Sequence, residues 1–304
     1  MKRFVIVLFF LTGISSITFA QMGGMMGKGM HDISPMQYER SKFTEEMHVS
    51  RGGQLYDDWF KTTVDVKKPE SDHPLWKQQT TNKRSGYDTY RCKECHGWDY
   101  RGKDGAYGKG SHYTGFIGVQ EAAKKMTINE LEAVLKGSKN NDHDYTKYFS
   151  DNDISDLVLF LKKGLIDIMR LVNSDGTPVE GNLNAGNNTF TNTCMHMCHG
   201  GSGTMINFGD SDKPEYLGTV ANENPWEFVH KVRAGQPGTR MPSAIINEWK
   251  EQDIRDLLAF AQTLPTDTPK IGWFARMKRG MGFGKDHHER NITDEYRGFG
   301  PIME

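Results

Sequence analysis

Apolar material is sparse in this sequence and, one short run aside, never continuous. Among 304 residues 36% are hydrophobic, and the mean hydropathy is −0.66. That balance suits small domains with much surface and a core completed by something other than side chains. A charge excess of either sign is also missing: 38 basic against 39 acidic residues leave a net charge of −1. No basic excess points to nucleic acid, and no acidic excess points to a cationic partner. Cysteine is scarce as well. Four residues allow two disulfides at most, so a framework of many bridges is excluded.

The one apolar run is N-terminal. Lys2 and Arg3 precede Phe4 to Leu11, and Thr18-Phe19-Ala20 resembles a small-residue cleavage site that would leave Gln21 first. An uncleaved anchor over Phe4 to Ala20 is the alternative, since that length nearly spans a tilted bilayer. Thr12, Gly13, Ser15 and Ser16 interrupt it and favour cleavage. Residues 1–20 are therefore expected to be a signal peptide, and the mature chain to be exported, to the periplasm or an equivalent compartment, with no transmembrane span.

The cysteines form two close pairs, Cys92-Lys-Glu-Cys95-His96 and Cys194-Met-His-Met-Cys198-His199. Disulfides give no reason for histidine to follow the second cysteine of both pairs. Covalent haem does: two thiols add to the porphyrin vinyl groups, and the adjacent histidine becomes the proximal iron ligand. A tetrahedral zinc site shared by the pairs is the competing reading. About a hundred residues with the pattern of a complete domain separate them, which counts against it. Two haem c groups are the expected cofactors.

A repeated plan surrounds the motifs. After the first, Thr127-Ile-Asn-Glu130 is a capping box opening a helix that stops at Gly137, and Ser150 to Asp153 cap a final helix with Ile154, Leu157, Val158 and Leu161 on one face. After the second, Asn224-Pro225-Trp226-Glu227 opens a helix that stops at Gly235. A final helix then carries Ile254, Leu257, Leu258 and Ala261, before Pro265. Phe160 and Phe260 occupy matching places. The expected organisation is a Met- and Gly-rich arm at 21–52, a first domain at 53–165 with a polar surface loop or added helix at 65–84, a linker at 166–183, a second domain at 184–265 and a tail at 266–304. Methionines in the arm could hold copper(I), although their spacing is irregular.

The second copy resembles class I cytochrome c domains, on its Cys/Cys-His motif after an entry helix, Gly235-Gln-Pro-Gly-Thr-Arg-Met241-Pro242, and an amphipathic last helix. The resemblance covers residues 180–265 well and 53–165 less well. It implies a mainly α fold of two tandem cytochrome c-like helical domains, each around one covalent haem, with extended N- and C-terminal arms. It also implies attachment through Cys194 and Cys198, with His199 proximal and Met241 distal. The first copy lacks a methionine in the matching loop. Gly235 to Met241 is six positions and Gly137 to His143 is also six, so His143 is the expected partner of His96, with His112 and Met126 as competitors. Methionine ligation raises the potential relative to bis-histidine, and electrons are then expected to run from the first haem to the second. The second motif departs from the family in its three intervening residues; attachment by one thioether, or His196 competing for iron, stays open. Such motifs are similar to those in cytochromes of anaerobic ammonium oxidation.

Electron transfer between periplasmic redox partners is the function implied, with donor and acceptor unidentified. Gly272 to Met277, Lys278-Arg279 and His287-His288 in the tail suit docking to a larger respiratory or nitrogen-cycle oxidoreductase. A di-haem peroxidase-like enzyme is the alternative, and it would need an open iron face and an acid/base group.

Overall fold

The computed structural model describes residues 35–267. The expected signal peptide, the first part of the arm and nearly all of the tail, with its His287-His288 pair, lie outside the described residues. The chain divides into a segment ending at Glu46 and a unit beginning at Met47. Of the first, the described part is the opening of a helix; all that follows concerns the second.

The fold is mainly helical, and the pairings outside helices among the described residues are isolated bridges such as Gly102 with Ile117 and Lys136 with Asp144. In chain order the helices are α1 (Pro35–Asp58), α2 (Cys92–His96), α3 (Gln120–Lys125), α4 (Ile128–Leu135), α5 (Asp151–Leu159), α6 (Leu183–Thr189), α7 (Leu217–Glu223), α8 (Pro225–Ala234) and α9 (Glu251–Ala261). The expected caps form: Thr127 and Glu130 close a reciprocal box on α4, Ser150 and Asp153 do so on α5, and Asn224 accepts from the Glu227 amide below Pro225. No described helix is long and apolar enough to cross a membrane.

Two apolar cores result. Leu55 and Tyr56 of α1 and Trp59 just beyond it meet Leu131 of α4 and Ile154, Leu157 and Phe160 in the first. Phe190 meets Phe228, Val229 and Val232 of α8 and Ile254, Leu257 and Leu258 of α9 in the second. Each such side chain removed from water contributes about 1.5–3 kcal/mol.

One helix crossing recurs. A Cβ on Gly52 of α1 would lie 2.0 Å from the Asp156 carbonyl oxygen and 2.6 Å from the Phe160 Cβ. A Cβ on Gly186 of α6 would lie 1.9 Å from the Asp256 carbonyl oxygen and 2.8 Å from the Phe260 Cβ. Four residues beyond each glycine, Tyr56 and Phe190 are buried, and Phe190 stacks obliquely on Phe260 at 5.3 Å. Glycine lets two backbones touch at both crossings.

Three stretches differ from the sequence reading. The first helix begins at Pro35, inside the stretch assigned to the arm, and runs through the expected domain boundary at Gly53. Gly52-Gly53 reads as an interruption because glycine weakens helices, yet here both glycines serve contacts: Gly53 abuts the Ala234 Cβ of α8. The polar insertion at 65–84 is folded inward at three points, with His73, Trp76 and Asn82 buried and the Trp76 indole donating to the Arg84 carbonyl at 2.9 Å. The stretch at 166–183 is not merely a linker. Ile168, Leu171 and Val172 are fully buried in the second core, in a turn closed by the Val179 amide on the Leu171 carbonyl.

Candidate haem sites

The first motif occupies α2. At about 100° per residue, Cys95 stands about 300° and His96 about 40° round the helix from Cys92. Gly97, at φ +75°, ends the helix with its amide on the Lys93 carbonyl four residues back, at 3.0 Å. Burial pushes the Cys92 thiol up to about 12, so it stays protonated and uncharged among the aromatic side chains of the first core.

The second motif sits on a different helix. Phe190–His199 continues α6 as a π-helix, and Gly200, at φ +67°, ends it with its amide on the Met195 carbonyl five residues back, at 2.9 Å. A π turn takes roughly 4.4 residues, about 82° each, so Cys198 stands about 330° and His199 about 50° from Cys194. The wider turn absorbs the extra residue and returns both cysteines and the histidine to nearly the angular places they hold on α2. The chain leaves both motifs alike: Gly102 donates to the His96 carbonyl at 2.8 Å and Met205 to the His199 carbonyl at 3.2 Å, each six residues on.

At the first motif the structure brings two of the expected ligands together. The rings of His96 and His143 are 6.4 Å apart between centroids, with planes at 72°. His96 Nδ1 lies 2.6 Å from the Ile117 carbonyl oxygen, and His143 Nδ1 lies 3.4 Å from that of Val134. A carbonyl only accepts, so both rings carry their proton on Nδ1 and leave the Nε2 lone pair free. Burial holds His96 neutral, down to about 4, and lowers His143 too. Gly137, at φ +79°, ends the helical segment before His143 as Gly235, at φ +82°, ends α8 before Met241. Of the competitors, His112 is exposed and meets Tyr107, while Met126 is half-buried against the first core.

The second motif is assembled less completely. Cys194 and Met241 both lie half-buried against the second core, and burial pushes the Cys194 thiol up to about 11. His199 is buried with Phe208 edge-on at 6.0 Å, and its Nδ1 has no hydrogen-bond partner. Cys198 and His196 are exposed. Among the described residues no group of three or more His, Cys, Asp or Glu side chains is close enough to hold a metal ion by itself.

Two features escape the sequence reading. His73, from the polar insertion, is buried beside the first site, with His143 at 6.4 Å and Tyr145 at 5.7 Å; its only signal was His-Pro in a turn-rich stretch. The other is a polar seam between the cores. His230 of α8 is fully buried, and its Nε2 donates to the Gly53 carbonyl at 3.0 Å while its Nδ1 accepts from the Tyr100 hydroxyl at 2.7 Å. Beside it, buried Asp57 bonds Arg91 and Lys231, each at 2.7 Å. Burial opposes the Asp57 charge, but the two cations outweigh it and hold the carboxyl at about 2.

Comparison with family models, with curated proteins and with solved structures finds no match.

Proposed function

We propose that this protein is an exported di-haem c-type cytochrome, built of two tandem cytochrome c-like domains, that passes electrons between redox partners. The observation that carries the reading is the His96–His143 pair. A metal–imidazole bond of about 2.0 Å, with roughly 1.1 Å more to each ring centre, would put two imidazoles on opposite sides of one iron about 6.2 Å apart. The two ring centres lie 6.4 Å apart, and both Nδ1 atoms face backbone carbonyls, the outer bond that fixes a ligating tautomer. The π-helix under Cys194 and Cys198 supports attachment of a second group through an altered motif.

Haem supplies reversible one-electron chemistry at iron. The chain's own part is to hold and tune. Cys92 and Cys95 would anchor one group, and His96 and His143 would bind its iron. Cys194 and Cys198 would anchor the other, with His199 and Met241 as its iron ligands. Iron held by two side chains would have no place for peroxide, which favours a carrier over a peroxidase-like enzyme. The His/Met site is the higher in potential, so electrons pass from the first haem to the second and on to a partner, in this reading a larger respiratory or nitrogen-cycle oxidoreductase.

Absorption and electron paramagnetic resonance spectra of the matured protein test this. Expected are two low-spin haems, with a methionine-to-iron charge-transfer band for one alone and no response to peroxide. A high-spin haem that reacts with peroxide would overturn the carrier reading.

A further inference from the structure

His73 differs from its two neighbours in which nitrogen is free. Its Nδ1 accepts the Leu75 amide proton at 3.1 Å, as the cap of a 3-10 turn beginning at Pro74. An accepting Nδ1 in a neutral imidazole puts the proton on Nε2. His96 and His143 therefore present a lone pair, whereas His73 presents an N–H. As held here, His73 is the wrong tautomer for an axial ligand and the right one for a hydrogen-bond donor.

That donor has no acceptor among the described residues. His73 is 5% exposed. Its ring packs on Tyr90 at 4.8 Å and Tyr145 at 5.7 Å. Its backbone amide is fixed on the Thr89 hydroxyl at 2.8 Å, which anchors the turn that carries the ring. Among the described residues its side chain bonds the Leu75 amide alone. An N–H that no protein group accepts, carried on a side chain packed beside His143, is available to a bound acceptor.

We infer that His73 donates its Nε2 proton to a propionate carboxylate of the haem held by His96 and His143. This rests on the haem reading above. With both axial positions filled, the two propionates are the hydrogen-bond acceptors that haem c has to offer. The polar insertion then has a purpose: it carries one donor from outside the helical plan to the edge of the first haem. Neutralising carboxylate charge by a donor stabilises neighbouring ferric iron less, which raises the potential.

The test uses the matured two-haem protein, with His73→Leu removing the donor and His73→Gln keeping an N–H. Expected are bis-histidine spectra for the first haem in all three proteins. The reduction equilibrium of that haem should move toward ferric by up to about tenfold in His73→Leu (59 mV for one electron) and largely return in His73→Gln. The propionate bending mode in resonance Raman should shift in step. Loss of the bis-histidine signature in His73→Leu would make His73 a ligand and overturn the inference. So would equal potentials and an unmoved propionate mode across the three. Wild-type protein without covalent haem by mass would overturn both this inference and the reading beneath it, and mass separates that failure from the others.

Discussion

The hydroxyl of Tyr100 and Nδ1 of His230 lie 2.7 Å apart in a fully buried hydrogen bond that joins residues 130 positions apart. Tyr100 follows the first cysteine motif closely, and His230 belongs to the helix whose Val229 and Val232 build the second core. The seam they centre on is polar, internally paired and mostly buried, so the two cores are expected to unfold together.

Acid should weaken that seam with a definite sign. Burial lowers His230 from 6.5 to about 4. A depressed pKa contributes stability above pH 6.5 that is lost as pH falls toward 4, because the unfolded chain takes up the proton first. The contribution is at most about 3 kcal/mol. Urea unfolding of His230→Gln should lose the part of the pH slope that falls in this window. A slope equal to that of the wild-type protein would show that His230 does not titrate this way.

Asp57 carries the remaining charge of the seam. Asp57→Asn leaves Arg91 and Lys231 without their shared carboxylate, and removing one member of a buried ion pair costs about 3–5 kcal/mol. Since Asp57 sits at about 2 rather than 3.8, its contribution is complete above pH 4 and fades between 4 and 2. Thermal melts at pH 7 and pH 3 should differ less for the variant than for the wild-type protein.

The glycines of the recurring crossing should be equally intolerant. Gly52→Ala and Gly186→Ala each place a methyl group within about 2 Å of a carbonyl oxygen, and such overpacking costs about 3 kcal/mol or more. Each variant should melt well below the wild-type protein. Alanine tolerated at one site alone would show that the two crossings are not alike.

Removing a distal ligand should affect one haem at a time. His143→Ala should turn the first haem high-spin and open to carbon monoxide while the second stays low-spin; Met241→Ala should do the reverse. A potentiometric titration of the wild-type protein should place the bis-histidine haem lower. Equal potentials, or the opposite order, would remove the proposed direction of electron flow.

Much of this was legible in the residues themselves. Capping boxes, Asn224-Pro225 and the apolar stripes of α5 and α9 are local signals, and the structure forms each of them where the sequence places it. Counting six positions from Gly137 led to His143, and the structure sets that ring against His96. What stayed hidden depends on contacts distant in sequence. Gly52-Gly53 looks like a break until α5 and α8 are seen pressing on it. Ile168, Leu171 and Val172 look like a linker because too few residues lie between Pro178 and Gly164 to show a period. Nothing local marks His73 or His230 as buried. The wider helix beneath Cys194 and Cys198 takes up the extra residue over a whole turn, a backbone choice that the spacing of the cysteines does not specify.

Intact mass combined with a pyridine haemochrome spectrum, on protein matured in an exporting host, tests the central claim most directly. Expected is the chain mass plus two haems, with the spectrum of two thioether bonds at each, since the π-helix keeps Cys194 and Cys198 near the angular spacing of Cys92 and Cys95. A mass lacking both haems, with four free thiols, would contradict it.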